Sequence, residues 1–202
     1  TCSFEICEQL AWNAPDVIFV SVGDGCIIGG IHKGLKDLFN LGWIEKMPRL
    51  IGIQAEGSSY MYQAWKNNED IITKPPAKSE TIADSISAGL PRDRIKAFDA
   101  VKKTNGAFIT VTDDQILKAI PHLAKRTGVF AEPAGAATWA GMKKAAKEGI
   151  MNSDDTVVVI NTGSGLKDVN AAMKAAELTD MQCVTVEPSL NKFKKIASDL
   201  KL

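Results

Sequence analysis

Apolar runs alternate along the chain with stretches of helical spacing. Four runs are continuous enough for strands buried on both faces, and they span residues 16–22, 50–53, 107–111 and 156–160. A weaker candidate at 182–186 alternates imperfectly and could be an edge strand or a packed tail. Because strands joined by helical crossovers pair in parallel, the pattern predicts an α/β fold with an open, largely parallel twisted sheet and helices on both faces.

Two helices carry clear start signals. Thr112 is followed three residues later by Gln115, the spacing of a capping box, so the helix should begin near Asp113. Pro133 suits the first turn of a second helix, and Gly149 suits its end. These signals therefore predict where the two helices begin and where the second one ends.

The amino-terminal residues 4–10 already have helical spacing, without an initiator Met or a convincing capping residue. This pattern fits either a processed terminus or a chain that lacks an upstream segment. Residues 67–79, with two adjacent prolines, form the clearest predicted loop.

Composition narrows the class of protein. The 202 residues are 45% hydrophobic and 24% charged, which is typical of a globular chain. The 24 basic side chains balance the 24 acidic ones, so no net field attracts nucleic acid or an anionic membrane. No run approaches the roughly 18 apolar residues of a membrane span, and the amino terminus lacks a signal-peptide plan. We expect no nucleic-acid or membrane partner and a cytoplasmic location.

The cysteines and histidines do not have the spacing of a metal site. No CxxC pair occurs among Cys2, Cys7, Cys26 and Cys183, and both histidines lie far from them. We expect free thiols in a reducing compartment. For His32 and His122, ordinary surface or partly buried roles are favoured over catalysis.

The stretch 17–35 is a buried strand followed by a glycine turn. Gly23 and Gly25 flank Asp24, and a helical run begins at about Ile28. Glycines let backbone N–H groups converge, and a helix N-terminus adds positive partial charge, so the turn suits a phosphate. It lacks the GK[ST] of a nucleotide P-loop and the GxGxxG spacing of a dinucleotide site. A structural turn that merely requires glycine is the alternative.

A second glycine turn follows the strand at 156–160. Ligands of open α/β sheets bind at the carboxyl ends of strands. Neutral polar groups able to hydrogen-bond a ring nitrogen follow this strand, at Asn161, Thr162 and Ser164. The alternative is a tight turn in which Lys167 and Asp168 form a solvated pair.

Glu132 precedes Pro133 at a predicted helix N-terminus. Its carboxylate could be a partner of the helix dipole, or it could face the same crevice.

Five segments occur in an order that resembles the threonine synthase family, among the enzymes of fold type II that use pyridoxal 5′-phosphate. They read VGDGCIIGG, IQAEGSS, ETIADSISAGLPRDR, GVFAEPAGAATWAG and NTGSGLKD. The resemblance implies that residues 1–179 are the carboxyl-terminal part of a large cofactor-binding domain. It leaves 180–202 as a tail with a short strand and a helix.

The resemblance also implies site residues. It assigns the cofactor phosphate to the backbone amides of the glycine loop, the pyridine nitrogen to a hydroxyl, and the lining of the cofactor region to a carboxylate. The residues concerned are Gly23, Asp24, Gly25, Cys26 and Ile27 in the loop, then Thr162 and Glu132. Cys26 and Ile27 depart from the small or amide residues of the family, which places the substrate in doubt if its phosphate needs an amide side chain.

The Schiff-base lysine of the family lies in an S-F-K-D type segment that does not occur in this sequence. The resemblance therefore implies an inactive fragment of an enzyme that converts O-phosphohomoserine and water to threonine and phosphate, and no catalytic residue is assigned. One alternative is a non-catalytic module that binds a phosphorylated ligand. Another is a different fold type II amino-acid lyase, such as a threonine dehydratase.

The expected partner is a small amino-acid substrate. A sheet that loses neighbouring strands exposes an unpaired edge, so self-association into a homo-oligomer is also expected.

Overall fold

A computed structural model describes residues 1–179 and 185–199. Within these ranges one four-stranded parallel sheet has the order β3-β2-β1-β4. Its strands are β1 (Val17–Ser21), β2 (Arg49–Ala55), β3 (Ala107–Val111) and β4 (Val157–Val159). The α/β class and the parallel sheet are therefore confirmed, and the four strong apolar runs are its strands.

The helices of the described residues connect and cover the strands. They are α1 (Cys2–Gln9), α2 (Cys26–Asn40), α3 (Tyr60–Asn67), α4 (Arg94–Lys103), α5 (Asp113–Thr127), α6 (Pro133–Lys147), α7 (Val169–Glu177) and α8 (Leu190–Asp199). Short 3-10 turns span Glu56–Ser58, Asp84–Ile86 and Gly165–Lys167. No helix among the described residues has the length and apolar character needed to cross a membrane.

Two apolar cores lie on opposite faces of the sheet. Phe19 packs in the core that contains the buried faces of α5 and α6, whereas Ile18 and Val20 pack with α1, α2, α3 and α4. Successive strand residues point to opposite faces, so a continuous apolar run fills both cores. The prediction of helices on both faces is confirmed.

Strand β2 is longer than the predicted run at 50–53. Gln54 lies within this strand and is fully buried. Its side-chain amide can be buried because it forms hydrogen bonds with other residues. Its Nε2 donates to the Val22 carbonyl at 3.2 Å, and its Oε1 accepts from the amides of Met61 and Tyr62 at 2.9 Å each. A buried polar group with these partners extends a strand that hydropathy alone would end.

The predicted helix signals of α5 and α6 are confirmed. The Thr112 hydroxyl accepts from the Gln115 amide at 3.2 Å, and the Gln115 side chain accepts from the Thr112 amide at 2.9 Å. Helix α6 begins at Pro133, and Gly149 follows its end with φ +69°. Local hydrogen bonds and backbone preference thus set both helices.

The loop predicted at 67–79 starts where α3 ends at Asn67, and it continues without helix or strand to Ala83. Asp113 fixes its far end, because its carboxylate accepts from the Thr81 hydroxyl at 2.5 Å and from the Ile82 amide at 3.0 Å. This long loop therefore returns to the sheet at a defined position.

The carboxyl-terminal expectations are tested only in part. Of the candidate strand at 182–186, residues 182–184 lie outside the described residues, and 185–186 form no strand. Cys183 also lies outside them, whereas Cys2, Cys7 and Cys26 are free thiols. Helix α8 lies in the predicted tail and buries none of its residues.

Candidate functional site

The two glycine turns lie at the same edge of the sheet. Strands β1 and β4 are parallel neighbours with Val17 opposite Val157 and Phe19 opposite Val159. The Ile160 amide continues this pairing, since it donates to the Phe19 carbonyl at 3.0 Å. Parallel neighbours end at a common edge, so the turn after β1 and the turn after β4 open onto one crevice.

The first turn requires glycine for two different reasons. A Cβ on Gly23 would lie 2.8 Å from the Cα of Ile86, which only a backbone shift could relieve. Gly25 has φ +92°, and a Cβ there would lie 2.8 Å from the Cβ of Ala97. Both contacts show that neighbouring segments press closely on this turn.

Helix α2 begins at Cys26, two residues before the position predicted from the sequence. Gly25 is its N-cap in the left-handed conformation, and no side chain caps the helix. The first amides of a helix have no partner within the helix, and the helix dipole favours an anion there. The turn from Gly23 to Ile27 therefore presents uncapped backbone donors.

The Asp24 side chain is committed to the neighbouring loop. Its Oδ1 accepts from the Arg92 amide at 3.0 Å, and its carbonyl accepts from the Asp93 amide at 2.9 Å. Asp24 thus joins the turn to the loop at 92–93, and its carboxylate hydrogen-bonds to that loop.

Cys26 is held as a neutral thiol beside this loop. A hydrogen bond to the Asp93 carboxylate raises the pKa of Cys26, and partial burial adds to the effect. The pKa of Asp93 is lowered, first by its hydrogen bond from Lys96 and then by the one from Cys26. The start of α2 therefore does not acquire a thiolate charge that would repel an anion.

The Glu132 carboxylate packs against the second turn, beside Gly163. The Glu132 side chain is only 6% exposed, its Oε1 accepts from the Thr162 hydroxyl at 3.3 Å, and its Oε2 lies 3.1 Å from the Lys167 Nζ. Oε2 also accepts from the Ser85 hydroxyl at 3.4 Å. Although Glu132 is the N-cap of α6, it makes no side-chain capping bond, so its carboxylate belongs to the crevice.

The alternative in which Lys167 and Asp168 form a solvated pair is wrong. Lys167 pairs with Glu132, and the Asp168 carboxylate accepts from the Ala171 amide at 2.9 Å at the start of α7. The buried Glu132 attracts the lysine because an isolated buried carboxylate is unfavourable. Ser164 caps the short turn Gly165–Lys167 by accepting from the Leu166 amide at 3.3 Å.

Glycines also shape the second turn. The space for a side chain on Gly163 is occupied by the Glu132 carboxylate, and that on Gly135 by the Asn161 amide. These close approaches pack Glu132 against the turn and Asn161 against the start of α6.

The segment 84–88 links the two turns. It lies in one of the five segments that carry the family resemblance, but no site residue was predicted in it. Ser85 contacts Glu132, while Ile86 lies against Gly23. The Ser58 hydroxyl fixes the segment by donating to the Ile86 carbonyl at 3.2 Å and accepting from the Ala88 amide at 3.0 Å. Its serine-rich composition resembles an ordinary loop, so only the contacts show its position.

One buried hydroxyl at this edge lacks a partner among the described residues. Ser21, the last residue of β1, is 3% exposed, and its Oγ makes no hydrogen bond there. In the same ranges no group of three or more His, Cys, Asp or Glu could hold a metal ion. Uncapped amides and an unpartnered hydroxyl are groups that fit a phosphorylated organic ligand.

Comparison with known proteins identifies the family. Residues 1–163 match the family described as "Pyridoxal-phosphate dependent enzyme". The chain belongs to this family. The cofactor of this family is pyridoxal phosphate, and the family resemblance drawn from the five motifs is confirmed at this level.

Named relatives refine the comparison. The chain is 41% identical over 201 residues to threonine synthase of Methanocaldococcus jannaschii, covering 99% of this chain and 48% of that protein. It is 39% identical over 177 residues to threonine synthase of Methanosarcina acetivorans, covering 88% of this chain and 44% of that protein. The chain spans about half the length of these curated relatives.

A solved structure supports the fold. The processed form of threonine deaminase isoform 2 from Solanum lycopersicum matches with a TM-score of 0.66 and 19% identity, over 89% of this chain and 48% of that one. The chain therefore has the architecture of a fold type II enzyme of this family.

Proposed function

We propose that this chain is the carboxyl-terminal, cofactor-binding part of a threonine-synthase-like lyase. The complete enzyme would convert O-phosphohomoserine and water to threonine and phosphate. The observation that carries the proposal is the register of β1 and β4, which places the uncapped glycine turn and Thr162 at one edge of the sheet. The identity to two threonine synthases supports the choice within the family.

The residues of the crevice fit the cofactor. The backbone amides from Gly23 to Ile27 would bind its phosphate, because the turn offers backbone donors and the N-terminus of α2, which no side chain caps. The Thr162 hydroxyl would hydrogen-bond the pyridine nitrogen, and Glu132 would line the ring through its contact with Thr162. When bound, pyridoxal phosphate supplies an electron-withdrawing ring that stabilises carbanions.

Thr162 gives this assignment an electronic consequence. A neutral hydroxyl does not stabilise a positive charge on the ring nitrogen as a carboxylate partner would. The ring is therefore less electron-withdrawing than it would be with a carboxylate partner. In the complete enzyme, Thr162→Val should therefore lower kcat more than it lowers cofactor affinity. Unchanged turnover would contradict the assignment.

Binding can be tested without the Schiff-base lysine. Pyridoxine 5′-phosphate has the ring and phosphate of the cofactor but no aldehyde, so it needs no amine. Calorimetric titration of this chain should give one saturable site, and unphosphorylated pyridoxine should bind at least about tenfold more weakly, a difference of about 1.4 kcal/mol. The absence of saturable binding, or equal binding of the two compounds, would refute the cofactor site.

A different fold type II amino-acid lyase, such as a threonine dehydratase, is the second candidate. It is favoured by Cys26 and by Ile27, which is 46% exposed, since neither a thiol nor an alkyl side chain offers the amide expected beside a substrate phosphate. The enzyme encoded by the full reading frame that contains this sequence should be assayed with both substrates. Phosphate release from O-phosphohomoserine supports threonine synthase, and 2-oxobutanoate from threonine supports the dehydratase.

The titration and the substrate assay together distinguish a non-catalytic phosphate-binding module from both enzymes. Such a module would bind pyridoxine 5′-phosphate and turn over neither substrate.

We further propose a small amino-acid substrate as the partner, a cytoplasmic location and self-association into a homo-oligomer. The last follows from the sheet edge, because β4 has only β1 as a strand neighbour in the described sheet.

A further inference from the structure

Helices α5 and α6 form a small basic cavity between them. The cavity has a volume of about 200 Å³ and is lined by Gln115, Lys118, Ala140, Lys143, Lys144 and Lys147. Among the described residues that line it, none is acidic, although the whole chain carries as many acidic as basic residues. We infer that this cavity binds the phosphate group of a small ligand and is separate from the crevice of the glycine turns.

Two of the ammonium groups in the cavity lack a partner. Lys143 and Lys147 make no hydrogen bond or ion pair with any part of the chain that the structure describes. Lys143 is half-buried, so its ammonium has lost part of its hydration. Burial lowers the pKa of Lys143, and the nearby charge of Lys147 lowers it further. A bound anion would offset both effects, because it supplies the opposite charge.

Two other lining side chains are held in place by the fold. The Lys144 Nζ donates to the Thr110 carbonyl of β3 at 2.8 Å, and an ammonium has three hydrogens, so two remain for a ligand. The Gln115 Oε1 accepts from the Thr112 amide at 2.9 Å in the capping box, which leaves the side-chain NH₂ as a donor. Donors that are already fixed lose less conformational freedom when a ligand binds.

Lys118 differs from the other lysines of the cavity because it pairs with an acidic residue. Its Nζ lies 2.8 Å from the Asp114 Oδ2, and both side chains are exposed. An exposed pair of this kind contributes little to stability. Lys118 can therefore turn to an anion in the cavity at small cost.

A second basic groove, between α2 and α4, does not have unmatched charges of this kind. Its lining lysines lie beside Asp93 and Asp99. Lys96 pairs with Asp93 at 2.9 Å, and Lys103 pairs with Asp99 at 2.5 Å. The chain compensates these charges itself, so the second groove offers much less unmatched charge to an anion.

The size and charge of the cavity indicate the class of ligand. Pockets for drug-sized molecules have volumes of about 300–1,000 Å³, and this cavity is smaller. A water molecule takes about 30 Å³ in the liquid, so the cavity has room for a phosphate group and a few waters. Several ammonium groups favour a dianion over a monoanion, and lysine commonly binds phosphate as a point charge. The expected ligand is inorganic phosphate or a small phosphate ester.

The cavity lies away from the proposed cofactor site. Lys144 reaches Thr110 in β3, and the strand order β3-β2-β1-β4 places β2 between β3 and β1. The two glycine turns follow β1 and β4. The inference therefore does not depend on the proposed function.

A titration with inorganic phosphate, followed by two-dimensional NMR, tests the site. Ionic strength is held constant with sodium chloride, because screening weakens contacts between exposed charges. The backbone amides of the lining residues should shift saturably, and the amides of residues 23–27 report the glycine turn separately. Lys143→Met keeps the length of the side chain and removes its charge, so it should weaken binding at the cavity at least about fivefold.

Lys147→Met and Lys102→Met form a matched pair. Lys147 lies in the last turn of α6, and Lys102 is an exposed lysine in the last turn of α4. Both positions are favourable to the helix dipole, but only Lys147 lines the cavity. Lys147→Met should weaken phosphate binding about fivefold, and Lys102→Met should leave it unchanged.

Glycerol 3-phosphate distinguishes the two sources of the phosphate group. Tighter binding of this ester than of inorganic phosphate indicates a phosphate ester as the ligand, and the reverse indicates free phosphate. The inference is overturned if the cavity amides show no saturable shift, or if Lys143→Met and Lys147→Met bind phosphate as the native chain does. A failure of residues 23–27 to respond to pyridoxine 5′-phosphate would refute the cofactor site and leave the result for the cavity intact.

Discussion

The backbone of Gly23 lies directly against the backbone of Ile86, with space for a hydrogen and not for a methyl group. A Cβ on Gly23 would lie 2.8 Å from the Ile86 Cα and 3.1 Å from its carbonyl carbon. The residue before Ile86 is Ser85, which contacts Glu132. One short segment therefore fixes the position of the first glycine turn relative to the carboxylate of the second.

Replacing Gly23 by alanine should disrupt this contact. We expect Gly23→Ala to lower the free energy of unfolding by about 1–3 kcal/mol, because backbone must move to admit the methyl group. Pyridoxine 5′-phosphate should bind at least about tenfold more weakly, a loss of about 1.4 kcal/mol, since the donors of the turn move as well. Urea unfolding and calorimetric titration measure the two effects.

Gly30→Ala is the matched control. Gly30 is exposed within α2, and a Cβ there meets nothing within 4 Å. This variant should gain about 0.5–1 kcal/mol in helix stability and bind the ligand as the native chain does. Equal behaviour of the two variants would show that the Gly23–Ile86 contact does not hold the turn.

Treatment of the isolated chain with pyridoxal phosphate and borohydride should mark no single lysine. The family's Schiff-base segment does not occur in the sequence, and Lys167 is engaged by Glu132. Surface lysines should give scattered, substoichiometric adducts, which peptide mapping by mass spectrometry resolves. A stoichiometric adduct at one lysine would show that this chain carries a reactive amine of its own.

Removing the capping hydroxyl of α5 should reduce stability and loosen the long loop. Thr112→Ala should cost about 1 kcal/mol, within the usual range for an N-cap, measured by urea unfolding. Hydrogen exchange at Ile82 should quicken, because its amide donates to Asp113 in the first turn of α5. Thr112→Ser keeps the hydroxyl and should preserve both properties; a loss as large as that of alanine would mean that the capping bond is unimportant.

His122 should make the chain less stable in mild acid. Burial lowers the pKa of His122 below its ordinary value of 6.5, and the nearby Lys143, Arg126 and Lys125 lower it further. Its Nδ1 accepts from the Trp139 indole at 2.9 Å, a bond that only the neutral ring can make. The folded state therefore binds a proton less readily than the unfolded state, so the stabilisation is present above about pH 6.5 and is lost as pH falls through the lower, folded pKa.

Urea unfolding between about pH 7.5 and about pH 5 measures this loss of stability. This pH range lies above the one in which most carboxylates titrate, so they contribute little to the change. His122→Asn retains an acceptor that does not titrate and should flatten the pH dependence. His32 has a lowered pKa from burial, Lys103 and Lys36, against the opposing effect of Asp99, so His32→Asn isolates its share. If His122→Asn keeps the full native slope, the contact with Trp139 is not the acid-sensitive element.

Much of the fold could be predicted from neighbouring residues. The Thr112–Gln115 capping box and the Pro133 start are local signals, and the structure places both helices where these signals predict. The end of β2 was harder to predict, because Gln54 is polar and its burial depends on hydrogen-bond partners just after β1 and in α3. A local sequence pattern does not indicate hydrogen bonds to segments that come together only after folding.

The candidate site divides in the same way. The glycine turn and Thr162 could be proposed from strands followed by glycines, because parallel strands end at a common edge. Glu132 could not be proposed as the partner of Lys167, because it is distant in sequence whereas Asp168 is adjacent. The role of Ser85 was missed for the same reason.

The sequence by itself determined the alternation of strands and helices, the caps of α5 and α6, and the presence of two glycine turns, because periodicity and local hydrogen bonds act between residues close along the chain. Only the tertiary structure decided that Ile86 lies against Gly23 and that Glu132 joins Thr162 to Lys167. These contacts arise when crossover connections bring distant segments to one sheet edge, where the burial of a carboxylate makes a particular cation and hydroxyl favourable partners.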